Sequence, residues 1–237
     1  MDNIRLFFSK SLSINLTGKL DKPQSHYLNK VMRLKVNEDF SLFNSSGEWK
    51  AKILNISKNI VEFNIIRQLR KKENSKELWL AFSPIKSNYF SFMIQKATEL
   101  GITKFLPIIF ERSIVRKINK ERLKKIVVEA SEQSNRINIP EIENLENLKT
   151  FLKNFPKNGS LISCDINSKN EKLNSILSKK NKGPYCILVG PEGDFSELER
   201  QSIIDIEQSQ SLSLASNILR VETAAIAAIS IINFYLK

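Results

Sequence analysis

A chain of 237 residues, 41% of them hydrophobic, can build a sizeable core and fits two modest domains better than one large one. No apolar run reaches the roughly 18 residues of a membrane span, and the opening MDNIRLFFSKSLSINL is too short in apolar residues for a signal peptide, so a cytoplasmic protein without membrane attachment is expected. The net charge of +12 is uneven: residues 1–72 hold 14 basic and 6 acidic residues and the remainder 23 and 19, which makes the first third the candidate for facing a polyanion.

From His26 to about Arg67 the pattern predicts short extended pieces: FSLFN, a turn at Ser46-Gly47, EWKAKILNI and NIVEFNII. The segment RKKENSKE is charged and without periodicity, and reads as a linker. The expected organisation is a β-rich domain over 1–70, a linker over 71–77 and a second domain over 78–237. In the second domain strands alternate with helices, the signature of a largely parallel sheet covered by helices. LWLAFSP and KFLPIIF are buried-strand candidates. Between them Phe90, Met93, Ile94, Ala97 and Leu100 recur at helical spacing up to Gly101. Helices are expected over 119–134 and 170–180, strands at LISCD and YCILVG, and an apolar helix over 221–236. Cys164 and Cys186 have no partner His or Cys pair nearby, so neither a disulfide framework nor a metal site is expected.

Two stretches carry the chemistry. In YCILVGPEGDFSELE a strand ends at Gly190, a Gly190-Pro191-Glu192-Gly193 loop follows, and Ser196 with Glu199 forms a capping box. Such a loop can hold a nucleoside through main-chain groups, although strand-turn-helix connections use Gly and Pro routinely. None of the 7 glycines forms G-x-G, which excludes the dinucleotide fingerprint and the P-loop. In LSLASNILRVETAAIAAIS a strand end and short loop lead to Arg220, Glu222 and Thr223 at the entrance of the last helix. A third feature is basic: residues 112–125 contain seven basic residues against one acid, Glu121. Such clusters neutralise phosphates, although a solvated helix face explains any single lysine as well.

LVGPEGDF followed by LSLASNILRVETA resembles the two signature loops of the RsmE branch of the SPOUT methyltransferases. HYLNKVMRLKVNEDFSLFN, MIQKATELGITKFLPIIFERS and EASEQSNRINIPEI are similar to further family segments in the same order. The resemblance implies an α/β fold: a SPOUT-type parallel sheet with a C-terminal trefoil knot, preceded by a small PUA-like β-barrel domain that binds RNA. It also implies a homodimer that binds S-adenosyl-L-methionine and methylates N3 of a uridine in 16S ribosomal RNA of the small subunit. Its cofactor loops would be Leu188, Val189, Gly190, Pro191, Glu192 and Gly193, with Leu214, Ala215, Asn217, Ile218, Leu219 and Thr223. The chain departs from the pattern at Asp194 and Ala215, where the family has glycine, and at Asn217, where it has arginine. Asp194 is expected outside the tight turn.

Methylating uracil N3 requires loss of its proton, so the protein's share is alignment, desolvation and stabilisation of the anion. Arg220 is the candidate for that stabilisation, with Glu222 orienting it or acting as a base. Arg33, Lys35, Arg112, Arg116 and Arg136 are the candidate RNA contacts. Two alternatives stay open: a related SPOUT enzyme acting on another base or on ribose, and a non-catalytic RNA-binding assembly factor.

Overall fold

The computed structural model describes residues 4–72, 76–168 and 183–236. The expected helix over 170–180, and residues 73–75 of the expected linker, lie outside them. The described residues form two compact units: residues 4–72 with Ser131–Ile139, and residues 76–130 with 140–236.

The first unit is built on a five-stranded sheet, with β1 at Arg5–Phe7, β2 at Thr17–Lys19, β3 at Asp39–Asn44, β4 at Gly47–Ser57 and β5 at Ile60–Lys71, in the order β1-β3-β4-β5-β2. β1 and β3 pair in parallel and the other neighbours antiparallel. Alternation puts Val61, Phe63 and Ile65 of β5 on the buried face with Phe40, Leu42, Ala51 and Ile53. The extended pieces read from the sequence are these strands, except at the two ends. Residues after Asp21 are helical instead: α1 spans Lys22–His26 and runs on as a π-helical turn over Tyr27–Val31. Asp21 caps α1 by accepting the N–H of Gln24 at 2.8 Å, and Pro23 suits the first turn, where its missing N–H costs nothing. β5 also continues past Arg67 into the expected linker, because Arg70 pairs across the sheet with Glu48.

Glu48 is buried between two guanidiniums, with Arg5 Nε at 3.1 Å from one carboxylate oxygen and Arg70 Nε at 2.8 Å from the other. Burial alone would raise its pKa, but hydrogen bonds and charge from Arg5 and Arg70 outweigh burial and hold it below the usual carboxylate value. Arg5 also donates to the carbonyls of Ser131, Glu132 and Arg136 at 3.3, 3.0 and 2.8 Å, and packs over the Phe43 ring at 4.5 Å. The Glu132 carboxylate accepts the N–H of Phe7 at 2.8 Å. These bonds attach Ser131–Ile139 to the first sheet.

The second unit contains a parallel sheet in the order β12-β10-β11-β6-β7-β8, with β6 at Leu78–Phe82, β7 at Lys104–Ile109, β8 at Glu141–Ile142, β10 at Ser160–Cys164, β11 at Tyr185–Val189 and β12 at Ser209–Leu212; β9 at Glu146–Asn147 pairs with β7. Every pairing in it is parallel. β11 is buried along its whole length, as a central parallel strand covered on both faces must be. Helix α2, Ser87–Glu99, carries the expected spacing, and α3 spans Lys120–Gln133. Residues 148–154, not read as helical from the sequence, form α4 (Leu148–Asn154), capped by the Asn147 side chain accepting the N–H of Thr150 at 2.8 Å. Helix α5 spans Glu197–Ile204, and the last helix, α6 at Val221–Leu236, packs against α2 and β11 and buries Ala225, Ala228, Ile229 and Ile232.

Candidate functional site

Three parallel strands end side by side at one edge of this sheet. Register aligns Cys164 of β10 with Val189 of β11 on one side and with Leu212 of β12 on the other. The segments leaving these strands therefore emerge together, where open parallel sheets take their ligands. They bound a cleft of about 750 Å³, within the size range of cofactor sites.

Of the residues expected from the sequence, Val189, Gly190, Pro191, Glu192, Gly193, Leu214, Ala215, Asn217, Ile218 and Leu219 line this cleft, together with Arg220 and Glu222. Leu188 does not: it is fully buried within β11. Thr223, in the first turn of α6, is exposed and does not line it either. The cleft also takes in Cys164 at the end of β10, Asp165 and Ile166 after it, and Tyr89 of α2, none of which the sequence marked as a site residue. The strands before the two loops are not direct neighbours, since β10 runs between β11 and β12. Burial pushes the Cys164 thiol up to about 12, so it lines the wall as a neutral, unreactive group.

The loop after β11 is held from several sides. Asp194 closes its turn by donating its N–H to Pro191 O at 3.0 Å, and sits at φ 63, so it belongs to the tight turn it was expected to lie outside. The capping box of α5 is present: Ser196 Oγ accepts the N–H of Glu199 at 3.4 Å, and the Glu199 carboxylate accepts that of Ser196 at 3.0 Å. At Gly190 a Cβ would lie 2.8 Å from the Phe195 ring, so the strand end and the turn approach each other too closely for a side chain. At Gly193 a Cβ would meet Arg112 Cβ at 3.2 Å, a milder contact.

Arg112 and Arg116, both exposed, are partly engaged within the second unit. Arg112 Nη1 donates to Gly193 O at 2.9 Å and Phe195 O at 3.4 Å, and Arg116 Nη2 donates to Glu111 O at 2.8 Å. A guanidinium carries five N–H groups, which leaves donors for a phosphate. Arg220 stacks its guanidinium 5.4 Å from the centroid of the Tyr89 ring at the cleft, and Glu222 is 9% exposed in the first turn of α6, where a carboxylate meets the positive end of the helix dipole. In the first unit Arg33 is exposed at φ 57, Lys35 is exposed beside it, and Val31, Met32 and Val36 expose apolar surface around them. Arg136 is different: burial pushes its guanidinium down to about 10. Among the described residues no group of three His, Cys, Asp or Glu side chains is placed to hold a metal ion, and no helix is long and apolar enough to cross a membrane.

The chain thus combines a nucleoside-sized cleft at the strand ends of a parallel sheet with a separate β-rich unit, an organisation that fits an RNA-modifying transferase. Comparison with known proteins agrees: residues 72–233 match the family model of an RNA methyltransferase domain and residues 20–66 that of an RNA methyltransferase PUA domain. Over 95% of this chain and 93% of the relative, the sequence is 41% identical to ribosomal RNA small subunit methyltransferase E of Rickettsia conorii. The Bacillus subtilis protein of the same name is 28% identical over 94% of this chain and 90% of its own. The crystal structure of the Neisseria gonorrhoeae protein of that name, bound to S-adenosyl methionine, superposes with a TM-score of 0.89 at 29% identity, covering 98% of this chain and 97% of that one. The chain belongs to the ribosomal RNA small subunit methyltransferase E family.

Proposed function

We propose that this chain transfers a methyl group from S-adenosyl-L-methionine to N3 of a uridine in 16S ribosomal RNA of the small subunit. The observation that carries the reading is the meeting of both sequence-legible loops in one cleft at the ends of β10, β11 and β12. The residues present fit the cofactor: the volume suffices, Gly190 keeps the wall free of a side chain, and Glu192 and Glu222 supply negative charge for a ligand with a sulfonium and an ammonium. When bound, S-adenosylmethionine supplies an electrophilic methyl group. The chain's own residues would do the rest. Val189, Gly190, Pro191, Glu192, Gly193, Leu214, Ala215, Asn217, Ile218 and Leu219 would hold the cofactor and exclude water. Arg220 would stabilise the uracil anion, and Glu222 would orient the base or take its N3 proton.

In this reading residues 1–70 form the PUA-like RNA-binding domain, 71–77 the linker and 78–237 the methyltransferase domain, with the segment around 212–223 threaded as a trefoil knot. Arg33 and Lys35 of the first domain, and Arg112 and Arg116, would contact phosphates, whereas burial withdraws the Arg136 guanidinium from that role. The working form would be a cytoplasmic homodimer, which the exposure of Ile218 (87%) and Phe234 (77%) beside and on α6 supports.

The test is incubation of the protein and methyl-labelled cofactor with small subunits lacking the modification, followed by mass spectrometry of the nucleosides. Label in N3-methyluridine is expected. Label in a ribose or another base would overturn the assignment, and no transfer together with no cofactor binding would favour a non-catalytic role. Gly190→Val should weaken cofactor binding in calorimetric titration, because its side chain would push aside the Phe195 ring that lines the cleft, with thermal melting to check that the variant folds. Gly193→Val should weaken binding less, since only Arg112 must give way. Neutralising Arg33 and Lys35 together should weaken RNA binding and flatten its salt dependence by about two phosphate contacts, with cofactor affinity unchanged. Equal loss of both affinities would point to misfolding.

A further inference from the structure

Asp194 adopts a left-handed conformation, φ 63, which costs a residue with a side chain unless local bonds hold it. Two bonds do so. One carboxylate oxygen accepts the N–H of Phe195 at 2.8 Å, and the other accepts Arg200 Nη2 at 3.0 Å. The guanidinium of Arg200, on α5, also forms an ion pair with the carboxylate of Asp165 through Nη1. Asp165 follows β10 directly. Its N–H donates to Leu212 O at 3.1 Å, and its Oδ1 accepts the N–H of Asn167 at 2.9 Å. The Arg200 and Asp165 side chains are 16% and 7% exposed, so this pair lies largely out of water, where an unbalanced charge is costly, whereas Asp194, 45% exposed, holds the guanidinium from the solvent side. Asp165 and Asp194 both line the cleft, and Arg200 itself does not.

We infer that Arg200 is a positioning residue for the cofactor cleft, a clamp whose forked guanidinium sets the gap between the end of β10 and the turn after β11. The inference rests on the cleft holding S-adenosylmethionine as proposed above. Both walls leave their strands as irregular chain, and without the cation two carboxylates face each other across the gap. They would repel, and the walls would part.

The test is calorimetric titration of S-adenosylmethionine into wild type, Arg200→Gln, Arg200→Lys and the double variant Arg200→Gln with Asp194→Gly, with thermal melting as the check on folding. Arg200→Gln should raise Kd on the order of tenfold. KM for the cofactor should rise by a similar factor and kcat should fall by less. Arg200→Lys should lie between, since an ammonium lacks the fork. Adding Asp194→Gly to Arg200→Gln should restore part of the loss, because one of the two facing carboxylates is gone and glycine accepts the left-handed turn without strain. A merely structural role would lower the melting temperature, leave KM and kcat moving together and give a double variant no tighter than Arg200→Gln. That pattern, or a Kd for Arg200→Gln within about twofold of wild type, would overturn the inference. Should Arg200→Gln fail to fold, Arg200→Lys decides: weaker binding in a folded protein supports the clamp, and wild-type affinity overturns it. A wild-type protein that binds no cofactor would overturn the proposed function itself and the inference with it.

Discussion

Glu48→Ala should destabilise the protein by about 3–5 kcal/mol, the cost of breaking a buried ion pair and leaving its partner uncompensated. The partner here is Arg5, whose side chain is 7% exposed beside a Glu48 side chain 5% exposed. Water does not replace the lost carboxylate easily. The pH dependence follows from the sign of the shift: the folded protein holds Glu48 below its ordinary value of 4.5, so the contribution is complete above that value and fades as pH falls through the lower folded one. Urea unfolding at several pH values checks both statements. Wild type should lose stability on acidification below about pH 4.5, and Glu48→Gln should lose less over the same interval because its side chain does not titrate. A Glu48→Ala protein as stable as wild type would mean that Arg5 is held by the carbonyls of Ser131, Glu132 and Arg136 alone.

Arg220→Ala should slow single-turnover methylation at neutral pH by on the order of 100-fold, the usual cost of removing one group that stabilises a developing anion. Uracil N3 loses its proton only well above neutral pH, and the anion is the species that reacts. A guanidinium keeps its charge throughout the accessible range and lowers the pKa of a nearby group that becomes anionic. The wild-type rate at saturating RNA should therefore climb with pH and level off once the bound uridine is deprotonated. In the variant the levelling should move to higher pH, so that part of the rate returns in alkaline buffer. A defect of equal size at every pH, with cofactor and RNA binding intact, would remove Arg220 from this role. Glu222, buried in the first turn of α6, would then be the group to test as the base.

The two loops were legible because their local chemistry is written in neighbouring residues. A strand buried on both faces reads as YCILVG, and a capping box needs only Ser196 and Glu199 three positions apart. What local pattern does not contain is strand order. LISCD could be read as a strand, but nothing in those residues says that it runs between β11 and β12, so Asp165 and Cys164 were missed as cleft residues. Tyr89 was missed for a related reason, since α2 precedes the cleft loops by about a hundred residues and only the fold brings it to Arg220. Asp194 was misjudged because backbone conformation at a single turn residue depends on partners such as Arg200 that lie outside the turn. Helix α1 with its π-helical turn escaped notice because it is short and its cap, Asp21, stands before a segment whose apolar residues do not repeat at a clear period.

The attachment of Ser131–Ile139 to the first sheet affects the order in which the protein is made. A ribosome releases residues 4–72 first, yet at that moment the Arg5 guanidinium lacks the three carbonyls it will cap, the N–H of Phe7 lacks the Glu132 carboxylate, and Arg70 lacks the carbonyl of Asn135. Those groups are synthesised only after α2 and most of α3. The N-terminal unit therefore cannot be finished during its own translation, although domains as a rule mature in the order they emerge. Excising residues 1–72 as a fragment would remove the same partners, so an isolated N-terminal piece carries the sheet without its last strip of bonding groups.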